Sequence, residues 1–250
     1  MQIPTYLKSQ PVIEAALEIR FNKETQISEI IPGYLFHSFN CKKPIVNLPN
    51  SQIPKNVRDA DEQLHYSILH TLELEKYLVG ISDHGIVIST NNFYDGWSEF
   101  KATITSVINA LSKLNINDKI ERIGMKYIDF FESKEKGECL FDKLNIEFNL
   151  AGESLNKNKL SLRLEKKDGD FSTIIQILSH ARVLSDDGEF NKKGLILDID
   201  TVKNLDTDKD VRDFIENTER YLNEIHDHNK ITFFSCLKDS TIESLSPVYS

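Results

Sequence analysis

Asp198 and Asp200 lie two residues apart in the run LILDIDT, Leu195 to Thr201. If that run is a strand, both carboxylates leave the same face of it. Two carboxylates on one face are the raw material for holding a divalent cation, or for dividing into a general acid and a general base. A third carboxylate on a neighbouring strand, Asp129 or Glu18, would complete a site of the metal-dependent nuclease or phosphoesterase kind. The competing reading is a solvated sheet face whose acids alternate with Leu197 and Ile199 in the core. One strand shows no convergence of ligands, so the spacing by itself favours the solvated face.

A second set is basic and aromatic: Arg20 in one strand-like run, and Arg122, Lys126 and Tyr127 in another. Such residues form a binding face for an anion, a peptide or a single-stranded nucleic acid. Ion pairing with Glu18, Glu121 or Asp129 across a sheet is the simpler account, because cross-strand charge pairs are common. Trp97, the single tryptophan, is a candidate partner hot spot, although the apolar stripe that follows it favours a packing anchor. Arg20, Trp97, Arg122, Lys126 and Tyr127 are therefore the candidate partner-binding residues.

The remaining chemistry is sparse. His226 and His228 are two apart near a helix end, which does not bring them onto one helical face; a cation at a helix C-terminus is the simpler role. The three cysteines, Cys41, Cys139 and Cys236, are far apart and have no metal-ligand spacing. They read as free thiols in a reducing cytosol. There is no GxSxG elbow, GxGxxG fingerprint or P-loop. No catalytic residue and no cofactor are expected.

The formal net charge of −9 opposes a general nucleic-acid binder, which needs cations to displace phosphate counterions. An acidic surface suits a basic protein partner. The opening MQIPTYLKSQ has no apolar h-region, and no apolar run approaches 18 residues. Neither secretion nor membrane spanning is expected, and the expected location is the cytoplasm.

The elements that must position these residues follow from periodicity. Ile13 to Phe21 alternates, with Ile13, Ala15, Leu17, Ile19 and Phe21 on one face. Residues 27–39 predict a short helix interrupted at Pro32-Gly33. Residues 40–63, with three prolines, predict a long loop. Leu64 to Thr71 predicts a strand. Lys76 to Ser82 and Gly85 to Thr90 predict a hairpin, with Gly85 supplying positive φ at the turn. Apolar spacings of three and four from Trp97 to Leu114 predict an amphipathic helix capped by Asp95. Residues 115–119 join this half to a second one. There Ile120 to Phe131, Leu144 to Leu150, Leu160 to Glu165, Phe171 to Leu178 and Leu195 to Thr201 predict strands. A turn is predicted at Lys167 to Asp170 and a polar loop at Ser185 to Lys193. Val211 to Ile225 predicts a helix capped by Asp208 or Asp210, and Thr232 to Cys236 a last turn or short strand.

The second half echoes the first. The opening strands start 110 residues apart (123 − 13) and the helix anchors Phe100 and Phe214 lie 114 apart (214 − 100). The expected fold is α+β with two similar halves, 1–117 and 118–250, or one continuous domain. Each half is a mainly antiparallel curved sheet with a long C-terminal helix on one face.

The runs Pro11 to Phe21, PVIEAALEIRF, and Arg122 to Asp129, RIGMKYID, resemble the opening and the mid-chain signature of an uncharacterised, sporadically distributed bacterial protein family. Trp97 with Phe100, the Leu197 to Asp200 strand, and His226 before Phe233 fit the same layout over nearly the whole chain. The resemblance carries no activity. Its patchy distribution is similar to that of mobile defence and toxin–antitoxin genes. Together with the absence of a catalytic signature and the acidic balance, it points to a non-enzymatic subunit that holds or neutralises a protein partner. Homo-oligomerisation stays open.

Overall fold

Alternating apolar residues produce most of the strands. In the computed structural model, which describes residues 2–22, 24–91, 93–114, 116, 119–134, 138–147, 159–184 and 191–249, the chain is α+β with a large antiparallel sheet. Its elements begin with β1 (Tyr6–Leu7), β2 (Val12–Phe21), α1 (Ile31–Ser38), β3 (Val46–Asn47) and α2 (Lys55–Ala60). A meander follows: β4 (His70–Leu74), β5 (Tyr77–Ile81) and β6 (Gly85–Thr90), then α3 (Trp97–Ser112). The later elements are β7 (Ile120–Glu132), β8 (Ser161–Asp168), β9 (Phe171–Leu184) and β10 (Asn191–Asn204). Helices α4 (Asp208–Glu216), α5 (Thr218–Cys236) and α6 (Asp239–Ser244) and strand β11 (Pro247–Val248) end the chain.

The chain divides into two units. Unit I consists of Met1–Ile13, Lys126–Thr201 and His226–Ser250, and unit II of Glu14–Met125 and Val202–Ile225. The division does not follow the expected boundary at 117/118. Strands β2, β7 and β10 and helix α5 each contribute one stretch to each unit.

In unit II the sheet order is β3-β4-β5-β6-β2-β7. The pairs from β3 to β6, and β6 with β2, are antiparallel; Leu17 lies opposite Ile88 and Val79 opposite Ile88 on the other side. Leu17, Ile19 and Phe21 of β2 are fully buried, as are Phe100, Ile104, Val107 and Leu111 of α3. Tyr77 of β5 stacks on Phe100 at 5.6 Å, and the Tyr34 hydroxyl of α1 donates to the Ala110 carbonyl of α3 at 2.9 Å. Helices α1 and α3 are thus tied to each other and α3 to the sheet.

In unit I the order is β7-β10-β9-β8, and β1 pairs antiparallel with β11. Leu195, Leu197 and Ile199 of β10 share a core with Ile175 and Ile177 of β9, with Phe233 and Phe234 of α5 and with Leu237 just beyond it. Gly169 takes φ +57° between β8 and β9, the left-handed conformation a tight hairpin turn demands.

Several expected elements differ. Pro32 sits in the first turn of α1, where its missing N–H costs nothing, so it opens that helix rather than breaking it. Residues 40–63 hold β3, a 3₁₀ turn at Pro49–Gln52 and α2. Leu64 to Ser67 is a turn, closed by the Ser67 N–H donating to the Leu64 carbonyl at 3.0 Å, and the strand starts only at His70. Gly85 does not have positive φ. A Cβ there would approach Ser82 Oγ at 3.1 Å, so a larger residue would have to push that side chain aside. Ile13 is 40 % exposed rather than core.

Helix α3 is capped by Gly96 without a side-chain bond, and Asp95 pairs instead with Lys76. The run Val211–Ile225 is two helices, because Asn217 leaves helical geometry at φ −125°, ψ 36°. The cap of α4 is Thr207, in a capping box with Asp210. Thr232 to Cys236 lies within α5. Of the Leu144 to Leu150 run, Leu144 makes a single bridge to Leu237, and 148–150 lie outside the described residues. So do 115, 117, 118 and 185–190, while Asn191 to Lys193 begin β10.

Candidate functional site

The candidate residues fall into two clusters, one in each unit. In unit II, β2 places Glu18 and Arg20 on the sheet face opposite Leu17 and Ile19. Arg20 Nε donates to Glu18 Oε2 at 2.8 Å, and Arg122 of β7 lies 3.9 Å from the same oxygen. The Arg20 guanidinium also stacks 3.9 Å above the Tyr66 ring. The two arginines therefore share one carboxylate and keep about a quarter of their side-chain surface exposed, 26 % each. Arg122 thus pairs with Glu18 across neighbouring strands, whereas Arg20 pairs with it along its own strand.

Trp97 opens α3. Its indole Nε1–H donates to Asn223 Oδ1 at 3.2 Å, and its ring meets Phe100 edge-on at 6.5 Å. Lys101 donates to the same Asn223 oxygen at 3.2 Å. These contacts bind the start of α3 to α5 within unit II.

In unit I, Lys126 Nζ of β7 lies 2.9 Å from Asp198 Oδ2 of β10. Gln176 of β9 donates to that oxygen at 3.5 Å. Asp198 Oδ1 is buried without a hydrogen-bond partner among the described residues. Asp200, two residues on, is half-buried. Asp129 is 1 % exposed, and its Oδ1 is likewise unpartnered. Burial, reinforced by the charge of Asp198, holds its carboxyl well above the ordinary range.

Tyr127 is buried, and its hydroxyl lies 3.1 Å from His226 Nδ1 of α5, a hydrogen bond whose direction depends on the imidazole tautomer. His228 stacks on Phe171 at 4.7 Å, and burial lowers its basicity. Burial pushes the Cys236 thiol up to about 11, so it is unreactive at neutral pH.

Among the described residues, no three His, Cys, Asp or Glu side chains converge to hold a metal ion. Asp129, Asp198 and Asp200 share neighbouring strands, but Asp198 turns to a lysine and Asp129 is enclosed. None of the candidates lines the cleft of about 550 Å³ around Phe130, Glu138, Lys143 and Thr241 of unit I. None lines the cleft of about 720 Å³ around Cys41, Tyr77 and Thr103 of unit II. Among the described residues, no helix is long and apolar enough to cross a membrane.

The feature that sequence reasoning missed is an edge. Among the described residues, β8 is last in the strand order, and seven of its eight residues are exposed. Leu164 is 57 % exposed in the middle of it. In an antiparallel ladder, alternate residues direct both N–H and C=O to the partner. Ser179 N–H donates to Leu160 C=O at 3.0 Å, and Asp168 faces Phe171 across the turn. Both ends of the ladder thus direct even-numbered residues toward β9. Ser161, Arg163, Glu165 and Lys167 direct their backbone groups outward. A signal was present: a strand carrying Arg163, Glu165, Lys166, Lys167 and Asp168 has the charge density typical of an edge.

Compared with models of known protein families and with curated proteins, the chain has no match.

Proposed function

We propose that the protein is a non-enzymatic, cytosolic interaction subunit that holds a partner protein by adding a strand to its sheet. The observation that carries this reading is β8, an exposed edge strand of eight residues with an outward row of backbone donors and acceptors. The internal neutralisation of the candidate charges supports it: Glu18 by two arginines and Asp198 by Lys126. A role in a bacterial defence or toxin–antitoxin type locus rests on the family resemblance alone.

The expected duplication belongs to the same reading. In unit II, β2 is followed by the meander β4-β5-β6, β6 returns beside β2, and α3 follows. Later in the chain, β7 is followed by β8-β9-β10, β10 returns beside β7, and α4, which belongs to unit II, and α5, which is divided between the units, follow. The equal order supports two copies of one ancestral unit. The copies differ at the outer strand, since β4 pairs with β3 at Val46 and Asn47, whereas β8 is last among the described strands. A function acquired after duplication belongs on that difference.

Purification from the native host is the test, with Arg163→Pro as the control. Proline there removes an outward N–H and leaves the β8–β9 ladder intact. A stoichiometric partner that is present with the natural chain and absent with the variant is expected. A chain that elutes alone and monomeric sinks the reading.

A further inference from the structure

We infer that β8 is built to pair with β8 of a second copy of this chain, antiparallel and centred on Leu164. The inference rests on the reading of β8 as the docking edge and names the occupant.

A two-fold axis normal to the sheet keeps like faces together and makes the interface self-complementary. It pairs residues of the same parity, so the candidate registers are those centred on a single residue. Centring on Arg163, on Glu165 or on Lys166 sets that charge against its own copy, which is unfavourable. Centring on Leu162 leaves most of the eight residues beyond the overlap. Centring on Leu164 sets Arg163 opposite Glu165 of the second copy and Glu165 opposite its Arg163.

The two residues already form an ion pair within one chain, and their side chains are 50 % and 64 % exposed. The exchange therefore swaps a pair that strand register already favours. The backbone agrees with this register. Arg163 and Glu165 carry outward N–H and C=O groups, so 163 and 165 of opposite chains form hydrogen-bonded pairs. Leu164 then falls at a non-hydrogen-bonded position, where facing side chains come closest. Its 57 % exposed side chain is covered by its own copy. Ser161 meets Lys167, and Leu162 meets the aliphatic stem of Lys166.

Sedimentation equilibrium of the full-length chain over a concentration series tests this. The natural chain is expected at twice 28.7 kDa. Arg163→Glu and Glu165→Arg, each alone, face like charges and are expected to weaken association by about tenfold or more. The double variant Arg163→Glu/Glu165→Arg restores opposite charges and is expected to recover association to within about threefold. Leu164→Lys is expected to be monomeric. An unchanged urea midpoint for each variant separates lost association from lost folding.

A dimer indifferent to all four variants overturns the inference, because the second copy then sits elsewhere. A monomer that takes a host partner lost with Arg163→Pro also overturns it, while leaving the proposed function standing. A monomer with no partner removes both.

Discussion

Replacing Asp83 with alanine should be among the costliest polar substitutions in the chain. Asp83 lies in the turn between β5 and β6 with its side chain 3 % exposed. Arg58 of α2, 11 % exposed, donates to both of its oxygens, Nε at 2.7 Å and Nη2 at 3.2 Å. Ser28 Oγ donates a further bond at 2.6 Å, and Arg58 also donates to the Ile53 carbonyl. Burial disfavours the Asp83 charge, but the bonds from Arg58 and Ser28 outweigh it and hold the carboxyl below its ordinary 3.8. Asp83→Ala leaves a guanidinium enclosed without a counter-charge, a defect of about 3–5 kcal/mol. That is a large part of the roughly 5–15 kcal/mol that holds a domain folded.

Urea unfolding at pH 7 measures the loss. The double variant Arg58→Met/Asp83→Leu should recover about 2 kcal/mol or more of it, because neither charge is then stranded. The pH sign follows from the depressed carboxyl. The contribution is complete above the ordinary 3.8 and disappears as pH falls through the lower folded value. A loss under about 1 kcal/mol for Asp83→Ala would refute the reasoning.

Three further outcomes are expected. Asp129→Asn should stabilise the fold by about 1 kcal/mol or more at neutral pH. Burial, with the Asp198 charge, raises the folded carboxyl above 3.8, so wild-type stability falls as pH rises from there through the folded value. The advantage of the variant should therefore vanish near pH 3, as thermal melts across pH would show. Gly194→Ala should cost about 3 kcal/mol or prevent folding, because its Cβ would come within 2.3 Å of the Phe131 carbonyl oxygen; soluble yield and circular dichroism report this. Thr207→Ala should cost about 1 kcal/mol by removing the α4 capping box, read as a lowered urea midpoint.

Most of the long strands and α3 were legible because alternation and a stripe of spacing three and four survive in any tertiary context. Pro32 was misread because proline breaks a helix interior and opens a helix start, and only the position of the first turn decides between them. Residues 40–63 read as loop because α2 has little apolar periodicity. It is held by Arg58 reaching Asp83, a bond 25 residues long in sequence. The acidic pair shows the same limit. Alternation places Asp198 and Asp200 on one face, but the partner Lys126 depends on how β7 meets β10. The edge character of β8 depends on strand order, a property of the whole sheet that no local pattern contains.

The shared strands also govern how the chain is made. Unit II is not complete until 100 residues beyond Met125 have been synthesised (225 − 125). At ribosomal speed that wait is about 5–20 s. During it, Leu17, Ile19, Phe100 and Ile104 are all translated, while Leu222 and Ile225, buried in the same unit, do not yet exist. A newborn chain therefore cannot bank its first unit before starting the second. The apolar side chains of its first unit therefore wait longer for their partners during synthesis than a unit made from one continuous stretch would require.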